Sequence, residues 1–212
     1  MRLLRGVFTL LFPLSCVAFA QTWEVGAAAG YGLYREANVT GATTSGKTGF
    51  ESGVAVGVVL GNDRFRYIGG DVRYTYRHDA LKVSSGGVTA TAGAQSHALH
   101  YDVLIHAAPR EARVRPYLAV GAGVKYFRGT GAEPAFQPLS NLVILTHTSQ
   151  AEPLISGGAG VKIALKHGAL LRFDFRDYAT PVPDKLLATP ARARASGWLH
   201  DFVFLIGIST TF

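Results

Sequence analysis

Apolar and non-apolar residues alternate with a period of two in eight separate segments of this chain. A strand sends successive side chains to opposite faces, so such alternation marks strands whose two faces meet different surroundings. The segments cover about 23–34, 50–60, 66–77, 95–107, 115–127, 153–165, 169–178 and 199–212. The second sets Phe50, Val54, Val56, Val58 and Leu60 against Glu51, Gly53, Ala55 and Gly57. In the fifth, Leu118, Val120, Ala122, Val124 and Tyr126 oppose Tyr117, Gly121, Gly123 and Lys125. In the last, Phe202, Phe204, Ile206, Ile208 and Phe212 oppose Asp201, Gly207, Ser209 and Thr211.

A soluble sandwich alternates too, and two further features separate the cases. The apolar face carries almost no charge in mid-strand, whereas the opposite face concentrates acids, bases and glycine. Glycine on that face suits a narrow, curved barrel whose interior has little room. The connections also alternate in length: 61–65, 108–114 and 166–168 are short, while about 35–49, 78–94, 128–152 and 179–198 are long. Tight turns at one end and long loops at the other are the topology of bacterial outer-membrane barrels. The expected fold is all-β, an eight-stranded antiparallel up-and-down transmembrane β-barrel with both termini on the periplasmic side.

The first twenty residues read differently. Arg2 and Arg5 precede an apolar run from Gly6 to Val17 that is interrupted by Pro13 and followed by Ala18-Phe19-Ala20. A basic start, a short apolar stretch and an A-x-A exit describe a cleavable export signal over 1–20, leaving 21–212 as the barrel domain. The alternative, lipidation at the only cysteine, Cys16, would put Pro13 where a branched apolar residue is expected. No apolar run after Gln21 approaches the roughly 20 residues of a membrane helix. The formal charge of +7 is spread along the chain rather than clustered, which suits a rim facing anionic lipid and not nucleic acid.

Pro116-Tyr117-Leu118-Ala119-Val120-Gly121-Ala122-Gly123-Val124 looks like the fifth-strand pattern of the small outer-membrane β-barrel family, the OmpA/OmpX-like barrels. Gly157-Gly158-Ala159-Gly160-Val161 through Arg172-Phe173-Asp174-Phe175-Arg176-Asp177-Tyr178 resembles its penultimate hairpin. The final strand ending in Phe212 is similar to the terminal signal read by the barrel-assembly machinery, which the resemblance implies as a partner. That family hosts adhesion, structural and enzymatic members, so the resemblance implies a fold more firmly than a role.

Placing the non-apolar face inward collects Glu24, Glu51, Asp71, Asp102, Asp174 and Asp201 against Arg73, Arg77, Lys125, Lys162, Arg172 and Arg176, with His100 and His106 among them. Buried ions persist only when paired, and eight strands enclose space just wide enough for side chains. The expectation is a structural ion network in a plugged lumen. The turn at Ser84-Ser85-Gly86-Gly87, with Ser84 pairing Gly87, puts Asp71 opposite His100 and Tyr67 opposite Leu104, all four facing inward. Asp71 is then held by Arg73, by His100 or by both.

Other patterns carry less. Gly41-Ala42-Thr43-Thr44-Ser45-Gly46-Lys47-Thr48 matches the P-loop spacing, but a strand pattern follows where phosphate binding needs a helix N-terminus. His147-Thr148-Ser149, near Glu152, is similar to the His-x-Ser of lipid A deacylase barrels, within surroundings that do not follow that family. His100 and His106 lie about 20 Å apart along a strand, too far for one metal ion. No catalytic, cofactor or metal site is therefore expected. Leu142-Val143-Ile144-Leu145 should either fold over the barrel mouth or offer a patch to a partner. Lys185, Arg192 and Arg194 against Asp184 could meet lipopolysaccharide phosphates. These features favour a monomeric envelope-structural or surface-interaction protein of adhesion type, acting on a surface ligand through its long loops. Lipid-modifying catalysis is the enzymatic alternative.

Overall fold

The computed structural model describes residues 23–133 and 136–212. The expected export signal and the cleavage after Ala20 lie outside the described residues.

Thirteen strands are formed: β1 (Trp23–Arg35), β2 (Ala37–Thr40), β3 (Ser45–Phe50), β4 (Gly53–Asn62), β5 (Ile68–Ser85), β6 (Val88–His106), β7 (Val114–Gly129), β8 (Ile144–Leu145), β9 (Ser149–Ala164), β10 (Ala169–Pro181), β11 (Leu187–Ala188), β12 (Arg194–Ser196) and β13 (Trp198–Thr211). Eight of them, β1, β4, β5, β6, β7, β9, β10 and β13, follow one another as antiparallel neighbours, and β13 pairs back with β1 to close the ring. Closure abolishes the sheet edge, so the backbone groups of the ring are satisfied by neighbouring strands, as a bilayer requires.

Outward positions carry the apolar residues. Val25, Leu33, Val58, Leu118, Ile206 and Ile208 are all exposed on the outer wall. Along β1 the outward series runs from Trp23 to Leu33, ten steps or about 33 Å of strand, which a tilt near 40° reduces to roughly 25 Å of bilayer depth. Trp23, Phe65, Tyr67 and Phe212 ring the end that holds the termini, and Tyr74, Tyr76, His97 and Tyr126 gather toward the other. Both belts are where aromatic side chains settle between lipid and water.

β5 and β6 continue well past the shorter strands as a protruding hairpin. Its turn is Gly86-Gly87, with φ of 57° and 82° and Ser85 paired to Val88. Two successive residues at positive φ are what a two-residue hairpin turn matching the strand twist demands, and glycine supplies them without strain. The register therefore differs from the expected one by two residues: Asp71 faces Asp102 and Arg73 faces His100, while Asp71 is not opposite His100. A two-residue shift preserves which face each side chain takes, so the interior assignment of this hairpin survives. Tyr67 is the exception. It precedes the strand, lies exposed at the periplasmic belt and does not pair with Leu104, which stays buried.

A second correction falls at 50–53. The expected single strand is broken: β3 ends at Phe50, Glu51 and Ser52 belong to no strand, and β4 begins at Gly53. The break shifts the alternation by one, so Phe50 points inside while Val54 and Val56 point out. Glu51 is exposed and is no member of the interior set. β3 instead pairs with β5 above β4, and β2 and β12 extend that sheet outward.

Candidate functional site

The distinctive chemistry of the chain lies inside the ring. Among the described residues fourteen charged side chains are buried there, seven acids and seven bases: Glu24, Asp63, Asp71, Asp79, Asp102, Asp174 and Asp201 against Arg73, Arg77, Arg115, Lys125, Lys162, Arg172 and Arg176. Inward glycines make the room. A Cβ on Gly160 would come within 2.5 Å of the Tyr117 ring, and one on Gly32 would collide with the Arg77 guanidinium.

The groups are linked from strand to strand. At the periplasmic end Lys162 donates to Glu24 at 2.7 Å and to Asp63 at 3.0 Å, and Arg115 donates to Asp63 at 2.6 Å. Asp63 lies in the turn after β4. Burial would raise its carboxyl, but the charges of Lys162 and Arg115 outweigh that and hold it below the usual carboxylate range. These residues border a cavity of about 260 Å³.

Above them Arg172 reaches across from β10, donating to Glu24 and to Asp71, each at 2.6 Å. Arg73 returns the link from β5 to Asp174 at 3.1 Å, and Tyr117 donates a short hydrogen bond to the same carboxylate. Asp71 is thus held chiefly by Arg172, with Arg73 more distant at 3.5 Å. His100, expected as a partner of Asp71, bonds Asp102 at 2.9 Å and the Tyr178 hydroxyl at 3.1 Å instead. Arg176 completes that tier at 3.0 Å from Asp102. Nearest the external mouth, Asp201 accepts from Lys125 at 2.6 Å and from Arg77, whose other nitrogen lies 3.0 Å from Asp79. Tyr34 lies under both cations, 4.5 Å from Arg77 and 4.8 Å from Lys125. Cations that face an aromatic ring and a carboxylate together lose less on leaving water.

Asp63, Asp79 and Arg115 were absent from the sequence-derived set. Asp79 and Arg115 were legible by parity, two residues beyond Arg77 and two before Tyr117. Asp63 sits in a turn, where alternation gives no direction.

The external mouth is apolar. Phe50, Leu81, Val83, Phe127, Leu142, Val143, Leu145, Leu186, Leu187 and Leu199 form one buried cluster, with Phe50 stacked on Phe127 at 4.9 Å. In the run at 142–145, Leu142, Val143 and Leu145 fold inward over the mouth while Ile144 stays exposed. The Gln137 amide binds both backbone groups of Leu145, at 2.8 and 3.0 Å, and β8 pairs with β11, placing Leu145 opposite Leu187.

The remaining motifs are loop structure. The P-loop-like segment forms the turn after β2 and most of β3, the turn closed by the Gly41 N–H on the Thr44 carbonyl at 2.8 Å. No hydrogen bond among the described residues joins His147 to Ser149 or Glu152; Glu152 accepts from Gln150. Lys185, Arg192 and Arg194 are exposed. Phe212 is exposed on the outer wall and exchanges backbone hydrogen bonds with Trp23 at the seam of the ring.

OprG from Pseudomonas aeruginosa superposes with a TM-score of 0.58 at 13% identity, covering 91% of this chain and 97% of that one. Neisserial surface protein A gives 0.54 at 11% identity, covering 90% and 97%. At such identities the likeness speaks for the fold. No curated protein sequence matches the chain. The family model for the outer membrane protein beta-barrel domain matches residues 7–192. With a match of that extent over a closed eight-stranded ring, the chain belongs to the outer membrane protein beta-barrel domain family and is an integral protein of the bacterial outer membrane.

Proposed function

We propose that the protein is a monomeric envelope-structural and surface-interaction barrel whose lumen is plugged and whose external assembly meets ligands outside the cell. One observation carries this reading: the interior is occupied tier by tier by charges that pair across the ring, beneath an apolar mouth. A wide aqueous pore would tolerate an unbalanced lining, whereas a narrow interior must pair its charges, and seven acids lie there with seven bases among the described residues. The protruding β5–β6 hairpin and the sheet added by β2, β3 and β12 supply a firm external platform. Exposed Lys185, Arg192 and Arg194 suit lipopolysaccharide phosphates, and Phe212 suits recognition by the barrel-assembly machinery during insertion. Export behind residues 1–20 belongs to the same reading.

Acyl-transfer chemistry would need serine and histidine positioned by an acid, and His147, Ser149 and Glu152 lack that arrangement. The test compares a deletion strain with strains carrying the intact gene or one with the β5–β6 hairpin shortened. Attachment to host-cell or matrix surfaces should fall in the deletion and the shortened strain, with an unchanged lipid A mass profile. A changed lipid A profile would replace this reading with the enzymatic one.

A further inference from the structure

A second site lies on the outer wall at the periplasmic belt. The turn between β4 and β5 reads Asp63-Arg64-Phe65-Arg66-Tyr67. Its one carboxylate turns into the barrel, where Arg115 and Lys162 hold it at 2.6 and 3.0 Å. Both arginines stay outside and exposed, and neither forms an ion pair with a described carboxylate. Arg66 lies 5.5 Å from the Tyr67 ring.

Beside this turn the wall is hollow. A recess of about 460 Å³ opens on the outer wall beside Gly70, whose outward position on β5 carries no side chain. Trp23, Tyr101, Ile68 and Phe65 wall it, and among the described residues Arg64 is the only charged one at its rim. Gly70 keeps the recess open and lets Tyr101 lie across it, since a Cβ there would strike the Tyr101 hydroxyl.

We infer that this recess is a specific site for an anionic glycerophospholipid of the periplasmic leaflet. An acyl chain segment occupies the aromatic-walled hollow, and the phosphate meets Arg64 with Arg66 beside it. Charge complementarity selects the occupant: an apolar recess whose described rim carries Arg64 and no carboxylate accepts a phosphodiester with a chain attached. Its depth, level with Trp23 and Phe212, selects the leaflet. The inference depends on the barrel and its orientation, not on the proposed surface role.

Trp23 reports directly on the site, because the chain has only one other tryptophan, Trp198. In a Trp198→Phe background, the full barrel is placed in phosphatidylcholine vesicles containing a small fraction of phosphatidylglycerol with brominated chains, or of equally brominated phosphatidylcholine. Brominated phosphatidylglycerol should quench Trp23 as though enriched about fivefold at the recess, the contribution expected of one interfacial arginine. Arg64→Ala with Arg66→Ala should abolish the difference while the barrel still shows its heat-modifiable folded mobility. Equal quenching by the two lipids overturns the inference. So does a preference that survives in the double variant, or an absence of quenching because a second copy covers this face.

Discussion

Replacing Asp201 by alanine removes the carboxylate on which two interior cations converge. Arg77 keeps Asp79 at 3.0 Å, so its charge remains paired. Among the described residues Lys125 then has no ion-pair partner and keeps the Tyr34 hydroxyl at 2.8 Å and the faces of the Tyr34, Phe127 and Tyr178 rings, with its side chain 2% exposed. Removing one partner of a buried pair costs roughly 3–5 kcal/mol, much of it the penalty of the orphaned charge. Asp201→Ala belongs at the upper end of that range. Asp71→Ala belongs at the lower end, because Arg172 retains Glu24 at 2.6 Å and Arg73 retains Asp174 at 3.1 Å. Urea unfolding in lipid vesicles, followed by tryptophan fluorescence and by gel mobility without heating, gives both numbers. Adding Lys125→Met to Asp201→Ala removes the orphan and should recover about 2 kcal/mol or more. A loss below about 1 kcal/mol for Asp201→Ala, or a deeper loss in the double variant, would refute the reasoning.

Gly87→Ala forces a side chain onto a backbone with φ of 82°, and should cost about 1 kcal/mol, read as increased protease cleavage at the hairpin tip. Leu142→Ala empties part of the mouth cluster at a cost of about 2–5 kcal/mol, seen as faster hydrogen exchange over 137–145 while the ring strands stay protected. Asp63 has a depressed carboxyl, so its ion pairs stabilise the fold above the unfolded-state value near 4 and lose that effect as pH falls through the lower folded value. Asp63→Asn should therefore be less stable than the native chain at pH 7, with the gap closing in acid; a gap constant with pH would exclude the ionised form as the source.

Much of this architecture was legible because a two-sided strand writes its faces into the sequence. Twelve inward charges had only to be read by parity along each segment, and eleven of them lie inside the ring. Glu51 was misassigned because parity carries through a strand only while the strand is unbroken, and the chain leaves β4 for β3 between Phe50 and Gly53. Phe50 was misread for the same reason, as a lipid-facing residue where it is a mouth residue. The hairpin register differs from the expected one by two residues because composition alone does not fix the turn type. Two glycines can occupy the central or the trailing positions of a turn, and only the backbone angles distinguish these. Pairings such as Arg172 with Asp71 or Lys125 with Asp201 connect strands far apart in sequence. They depend on ring closure and stagger, which no local pattern records.

The most direct test of the account is conductance. If the lumen is plugged as proposed, by charges paired across it and by the apolar mouth, purified protein reconstituted into a planar bilayer should give no stable porin-sized current. Large, reproducible single-channel steps from the folded, heat-modifiable form would show that the interior is open and would contradict it.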